Sequence, residues 1–244
     1  LQVYPTLFTR HFILNQSSEQ WKLDTQDYNV QEYLGKPALR LKKNRAVLPD
    51  VNLENGIIEF DVAFPPGRAF IGLMFRMQDA ANYEEFYIRT HQSGNPDANQ
   101  YSPVYNGLAA WQLYYGEGYG APIQYAFNTW THIKFVVSGN QMETYINDME
   151  TPVLVSQLKS PAQKGGLGVQ NFLSESYFAN FSFTPQEKPV FKTAPKPIGP
   201  ADAGTVTQWE ISMPVTEASL QNVMSLKSRK DETTWKKAAT ENTG

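Results

Sequence analysis

The stretch Tyr83–His91, YEEFYIRTH, carries the densest set of reactive side chains in the chain. Side chains alternate across a strand, so Tyr83, Glu85, Tyr87, Arg89 and His91 share one face and Glu84, Phe86, Ile88 and Thr90 the other. An acid, a guanidinium, an imidazole and two phenols cannot be buried unpaired without a cost of several kcal/mol per charge. That face is therefore expected to meet water, to pair with neighbouring charges, or to grip a ligand. Arg89 can offer a planar fork to two sugar hydroxyls or to a carboxylate, and is the residue expected to hold an anionic ligand such as a uronic acid. His91, followed by Gln92, could act as general acid or base, or as a hydrogen-bonding surface residue.

Two more acids join the set. Glu59 and Asp61 share the non-core face of a strand over 56–64, in which Ile58, Phe60, Val62 and Phe64 point inward. A pair of carboxylates flanking a bond is the minimum for glycoside hydrolysis. The competing expectation is an ion pair across the sheet, Glu59 to Arg76 or Arg89. Aromatic residues cluster between 101 and 125: Tyr101, Tyr105, Trp111, Tyr114, Tyr115, Tyr119 and Tyr125, with Asn95, Asn99, Gln100, Asn106 and Gln112 nearby. Rings stack on the C–H faces of sugars, and amides orient hydroxyls. A β-rich core explains the same rings. With Leu113 pointing inward, Gln112 and Tyr114 are the expected ligand contacts and Trp111 a core residue.

Metal chemistry has weaker candidates. Asp79, Asn82, Asp97 and Asn99 are oxygen donors in turns, suited to a hard cation, but their spacing is not diagnostic and such residues commonly serve local hydrogen bonds. His11, His91 and His132 are far apart and form no zinc motif. The absence of cysteine excludes disulfides, thiolate metal sites and cysteine nucleophiles. No phosphate-binding loop, dinucleotide fingerprint or Gly-x-Ser-x-Gly elbow is present, and GEGYG at 116–120 sits among strands as a loop.

The elements that must position these residues read as strands. Ala69–Met77 alternates after the Pro65-Pro66-Gly67 stop, residues 79–82 form a turn into 83–91, and 92–107 reads as a long polar loop. Ala109–Tyr115 reads as strand again. Thr131–Val137 and Met142–Ile146 flank a hairpin turn, and Gly165–Gln170 and Tyr177–Phe183 close the series. No amphipathic helix precedes residue 184. The expected fold is all-β, an antiparallel β-sandwich over 1–184. A Pro-rich connector follows over 185–204, then a short C-terminal segment, 205–244, with one strand at TVTQWEISMPV and a helix near 233–239. That segment reads as the start of a second β module.

At 244 residues the chain can bury a substantial core, and its net charge of -3 leaves no footprint for nucleic acid. No apolar run marks a membrane span. The first residue is Leu1, which is read as a processed N-terminus; an exported protein, extracellular or periplasmic, is the expectation.

Taken in order, Trp21, YLGKPALRLKKNRAVLPD at 33–50, NGIIEFDVAF at 55–64, FIGLMFRMQDAANYEEFYIRTH at 70–91, FNTWTHIKFVVSGNQMETYIND at 127–148, GGLGVQNF and SYFANFSF resemble the concanavalin A-like lectin/glucanase superfamily, in its laminin-G-like and 3-keto-disaccharide-hydrolase-like branches. The resemblance covers about three quarters of the chain. It implies a jelly roll of two stacked, curved antiparallel sheets, with carbohydrate on the concave face and rim loops, and a structural calcium in many members. It also implies a comparison with the Glu-x-Asp-x-x-Glu strand of laminarinase-type glucanases. Here Glu59 and Asp61 match, but Phe64 stands where the second catalytic glutamate would be, which argues against that mechanism at this strand.

The expected function is non-catalytic carbohydrate recognition by Glu85, Tyr87, Arg89, His91 and Gln92, with Arg76, Gln112 and Tyr114, and with no cofactor beyond a structural calcium. The alternatives are a glycoside hydrolase using Glu59, Asp61 or Glu85 with His91, and a laminin-G-like adhesion or structural module.

Overall fold

The computed structural model describes residues 10–12, 21–23 and 28–193. The chain divides into two units, Leu1–Thr205 and Val206–Gly244, and the described residues all belong to the first. The expected strand and helix beyond 204 lie outside the described residues, as do the side chain of His11 and most of the Pro-rich connector.

The period-two patterning produces thirteen antiparallel strands among the described residues: β1 (Arg10–Phe12), β2 (Lys22–Leu23), β3 (Tyr28–Tyr33), β4 (Lys36–Leu53), β5 (Gly56–Ala63), β6 (Phe70–Met77), β7 (Tyr83–Arg89), β8 (Asn99–Tyr105), β9 (Leu108–Ala109), β10 (Thr131–Ser138), β11 (Gln141–Ile146), β12 (Leu154–Gln157) and β13 (Gly165–Pro185). They run in the order β12-β11-β10-β5-β13-β6-β7-β8-β9, with β1 on β13, β4 also on β13, and β2 and β3 on β4.

The sandwich arises because β13 changes partners. Its first part pairs with β6, from Gly166 opposite Met77 to Phe172 opposite Phe70. Its second part pairs with β5, from Tyr177 opposite Ala63 to Pro185 opposite Gly56. β4 follows it along both stretches, and the register slips between Asn171 and Glu175. At that slip Leu173 adopts φ 81° and Lys43 φ 54°. The Asn171 side-chain amide donates to the Leu41 carbonyl at 2.9 Å and the Ser174 carbonyl at 2.6 Å, meeting acceptors that the broken ladder leaves open. Two half-sheets result, β12-β11-β10-β5 with the second part of β13, and the first part of β13 with β6-β7-β8-β9.

The half-sheets close face to face. Phe86 on β7 meets Phe135 on β10 edge to face at 5.1 Å, and Phe60 on β5 stacks on Phe181 at 5.8 Å. Ile58, Phe60, Val62, Ile71, Leu73, Phe75, Phe86, Ile88, Val169 and Phe178 share this core. The fold is the expected all-β, antiparallel jelly-roll sandwich.

Three local expectations are corrected. Residues 92–107 are not one loop: 99–105 form β8, its pattern hidden because Gln100 and Ser102 are polar yet buried. Residues 109–115 are not a strand: β9 ends at Ala109, and the amides of Leu113 and Tyr114 turn back onto the Ala110 carbonyl at 2.9 and 3.2 Å. β7 ends at Arg89, and Thr90–Gln92 make a single 3-10 turn, so the alternation does not reach His91. The described start of the connector returns to the sandwich, where the amides of Lys192 and Thr193 donate to buried Glu143 at 3.0 and 2.8 Å.

Candidate functional site

With Phe86 and Ile88 in the core, period two turns Tyr83, Glu85, Tyr87 and Arg89 to the outer face of the second half-sheet. Yet every residue of β7 is buried. The charged face meets neither open water nor ion pairs within itself; it is the floor of a cleft, satisfied mostly by neutral groups. Arg89, 8% exposed, donates from Nη1 to the Asp97 carbonyl at 2.9 Å and from Nη2 to the Tyr87 hydroxyl at 3.0 Å and to Gln100 Oε1. Among the described residues its nearest carboxylate oxygen is Asp97 Oδ2, 4.0 Å away. Tyr87 donates to the same Gln100 oxygen at 3.1 Å. Gln100 donates in turn to the Trp111 carbonyl at 2.8 Å and to the Tyr114 carbonyl. One amide therefore ties the floor to the 111–114 turn. Three of the five guanidinium N–H groups are used, which leaves two donors for a ligand.

Gly72 lies opposite Tyr87 on β6. A β-carbon there would meet the Phe86 carbonyl and approach Tyr87 Cβ to 2.8 Å, so its absence lets the floor strands approach closely.

Glu85 accepts from Gln170 Nε2 at 2.7 Å; its Oε1 has no hydrogen-bond partner among the described residues. Burial pushes its carboxyl up to about 7, against the pull of the Gln170 hydrogen bond and of Arg45 and Arg89. His91 is exposed on the 3-10 turn, edge-on to Phe70 at 5.3 Å, and partial burial together with Arg68 and Arg89 lowers its pKa.

The cleft measures about 440 Å³ and is lined by Arg45, Arg68, Phe70, Tyr83, Glu85, Tyr87, Arg89, His91, Gln92, Asp97, Val104, Gly107, Ala109, Trp111, Gln170 and Phe172. The expected set Glu85, Tyr87, Arg89, His91 and Gln92 is thus assembled. The rim is not as expected. Leu113 is 43% exposed and does not point inward, so the premise for choosing Gln112 and Tyr114 fails. Trp111, 46% exposed, lines the cleft; Gln112 is exposed outside its lining, and Tyr114 packs on Tyr119 at 5.4 Å against the main core.

Arg76 is also removed from the set. Its backbone adopts φ 50°, which breaks the alternation, and its buried guanidinium donates to the Glu54 carbonyl at 3.0 Å, Asn55 Oδ1 at 3.2 Å and the Gly139 carbonyl at 2.5 Å. It clamps loops together away from the cleft.

Glu59 and Asp61 lie on the outer face of the other half-sheet, with the core between them and Glu85. The structure therefore does not unite these acids, and Glu59 pairs with neither Arg76 nor Arg89. Its neighbour is His132 Nε2 at 3.8 Å. Asp61 holds His132 Nδ1 at 2.7 Å, Lys36 Nζ at 2.7 Å and Asn180 Nδ2 at 2.6 Å. Burial opposes ionisation of Asp61, but the hydrogen bonds from His132, Lys36 and Asn180 prevail and hold it at about 2. The hydrogen bonds to Asp61 and Glu59 raise His132 to about 9.

The four calcium candidates are not brought together. Asp79 and Asn82 precede β7, whereas Asp97 and Asn99 lie at its other end, Asn99 opposite Ile88, about 20 Å away along a seven-residue strand. Asp79 is spent on the Ala81 amide at 2.7 Å and Asn82 Nδ2 at 3.0 Å, and Asn99 on the Ala121 backbone at 3.0 and 3.1 Å. Among the described residues no three His, Cys, Asp or Glu side chains group as ligands.

Sequence reasoning passed over Arg45, Arg68, Phe70, Gln170 and Phe172. Period two along 165–172 could have placed Gln170 and Phe172 on one face. Nothing local in the sequence shows that β4 and β13 bring Arg45 and Gln170 beside β7.

Comparison with solved structures places the fold. A carbohydrate binding module, CBM66, from Bacillus subtilis superposes with a TM-score of 0.52 at 17% identity, over 66% of this chain and 93% of that one. A β-glucanase from Bacillus licheniformis gives 0.51 at 10%, over 74% and 98%. A Bacillus subtilis protein with a galectin-like fold gives 0.51 at 10%, over 72% and 98%. No family model matches the chain, and no curated protein matches it significantly in sequence. The chain shares the antiparallel β-sandwich fold of these structures.

Proposed function

We propose that the chain is a carbohydrate-recognition sandwich that binds an oligo- or polysaccharide across the outer face of the second half-sheet without cleaving it. One observation carries this reading: a single open cleft combines exposed rings, Trp111 and Phe172, with unspent hydrogen-bonding groups of Arg89 and Glu85. Rings with an apolar face and a few placed polar groups are what a sugar requires. The shared fold of a carbohydrate binding module supports it. So does the separation of Glu59 and Asp61 from Glu85, which keeps the expected pair of carboxyls from flanking one bond in the cleft. Among the described residues no helix is long and apolar enough to cross a membrane. A polysaccharide ligand accords with an extracellular or periplasmic location.

The test is polysaccharide binding by affinity electrophoresis, with Trp111→Ala and Phe172→Ala. Both side chains are partly exposed, so folding should survive. Retardation that both substitutions abolish supports the site; retardation that neither changes removes it.

One observation favours a hydrolytic reading. Glu85 is a cleft carboxyl that stays partly protonated near neutrality, as a general acid must, and Asp97 at the rim is a second carboxyl. Release of reducing ends by the protein, lost in Glu85→Gln, would establish it in place of pure binding.

A further inference from the structure

The charges of the cleft do not balance. Three arginines line it, Arg45, Arg68 and Arg89, against two carboxyls, Glu85 and Asp97, in a chain whose net charge is -3. Arg68 is exposed and lies over the Phe70 ring at 5.7 Å, with no hydrogen bond or ion pair among the described residues. Arg45 stacks on Tyr83 at 5.2 Å, and among the described residues its guanidinium donates only to the Tyr83 hydroxyl at 2.7 Å and the Ala80 carbonyl at 3.0 Å, both neutral acceptors. Arg89 is buried, keeps two donors free, and has no carboxylate oxygen of the described residues closer than 4.0 Å. A guanidinium with no anion in ion-pair contact keeps donors that can take one. His91 registers the same field, because Arg68 and Arg89 add to the effect of burial in lowering its pKa.

We propose that the glycan held in this cleft is acidic, its uronate carboxylate or sulfate ester being gripped by Arg68 together with Arg89. The proposal rests on the carbohydrate reading and narrows it. The guanidinium fork donates bidentately to either anion. Trp111 and Phe172 would stack the ring while the arginines hold the charge.

The experiment immobilises polygalacturonate, alginate and dextran sulfate beside neutral dextran, xylan and cellulose, and measures binding of the full chain, Arg68→Gln and Trp111→Ala at low and high salt. The expected result is binding to an acidic polymer at least about tenfold tighter than to any neutral one, weakened by salt and lost in both variants. Polygalacturonate or alginate binding assigns the carboxylate, and dextran sulfate binding the sulfate. Binding confined to neutral polymers, or unchanged in Arg68→Gln, overturns the acidic ligand and leaves the carbohydrate reading intact. Polyanion binding that survives Trp111→Ala also overturns it, as charge attraction without ring recognition. Binding to none of the six overturns both readings.

Discussion

The Tyr101 hydroxyl donates to Glu84 Oε2 at 2.6 Å, deep in the core between the half-sheets. The same hydroxyl accepts from the Lys159 amide at 2.7 Å, and Glu84 Oε1 from the Ser160 amide at 2.8 Å. Glu84 thus points away from the cleft and ties the 158–160 segment to β7. Tyr101→Phe should leave a buried carboxylate oxygen and an amide short of a partner. The expected loss is about 2 kcal/mol of unfolding free energy, read by urea denaturation, with ligand binding unchanged.

Gln100 joins Tyr87 and Arg89 to the backbone of Trp111 and Tyr114. Gln100→Met should cost about 2 kcal/mol and weaken ligand binding, because floor and rim lose their common amide. Gln100→Glu keeps an acceptor for Arg89 but cannot donate to the rim. It should retain more stability than Gln100→Met and still bind poorly in calorimetric titration. Equal affinity of Gln100→Met and the parent protein would exclude this linkage.

Glu85 has a folded pKa of about 7, above its ordinary 4.5. The folded state therefore binds more protons than the unfolded one between those values, and this carboxyl makes stability fall as pH rises from about 4.5 to 7. Glu85→Gln should remove that penalty, of up to about 3 kcal/mol. Its melting temperature should match the parent near pH 4.5 and exceed it at pH 8. No pH dependence in the difference would refute the buried carboxyl as its source.

The His132–Asp61 pair has the opposite sign. His132 is raised to about 9, so its contribution is complete below about 6.5 and is lost as pH rises through 9. Asp61 is lowered to about 2, so its contribution is complete above about 3.8 and is lost as pH falls through 2. The pair should stabilise most between about pH 4 and 6.5. With the His132 side chain 39% exposed, screening limits it to about 1 kcal/mol. His132→Gln should lower the melting temperature at pH 5.5 and change it little at pH 10.

Much of the architecture was legible because alternation is local. Ile58-Phe60-Val62 and Phe86-Ile88 declare their inner face with no knowledge of the partner strand. The same local rule grouped Tyr83, Glu85, Tyr87 and Arg89 on one surface, and that grouping holds in the cleft floor. It failed where polar side chains are buried in strands, as in β8, and where exposed apolar residues sit in a turn, as at Trp111 and Leu113. Composition and burial part company at those positions.

The sequence by itself determined the inner faces of β5, β6 and β7 and the polar surface of β7, since each depends on side chains two residues apart. Only the tertiary structure decided which charges share a space. The partner change of β13 sends Glu59 and Asp61 to one outer face and Glu85 to the other, and it brings Arg45, Gln170 and Phe172 to Arg89. A strand records which way its side chains point; the distance between two charges is set by the path of the backbone between them.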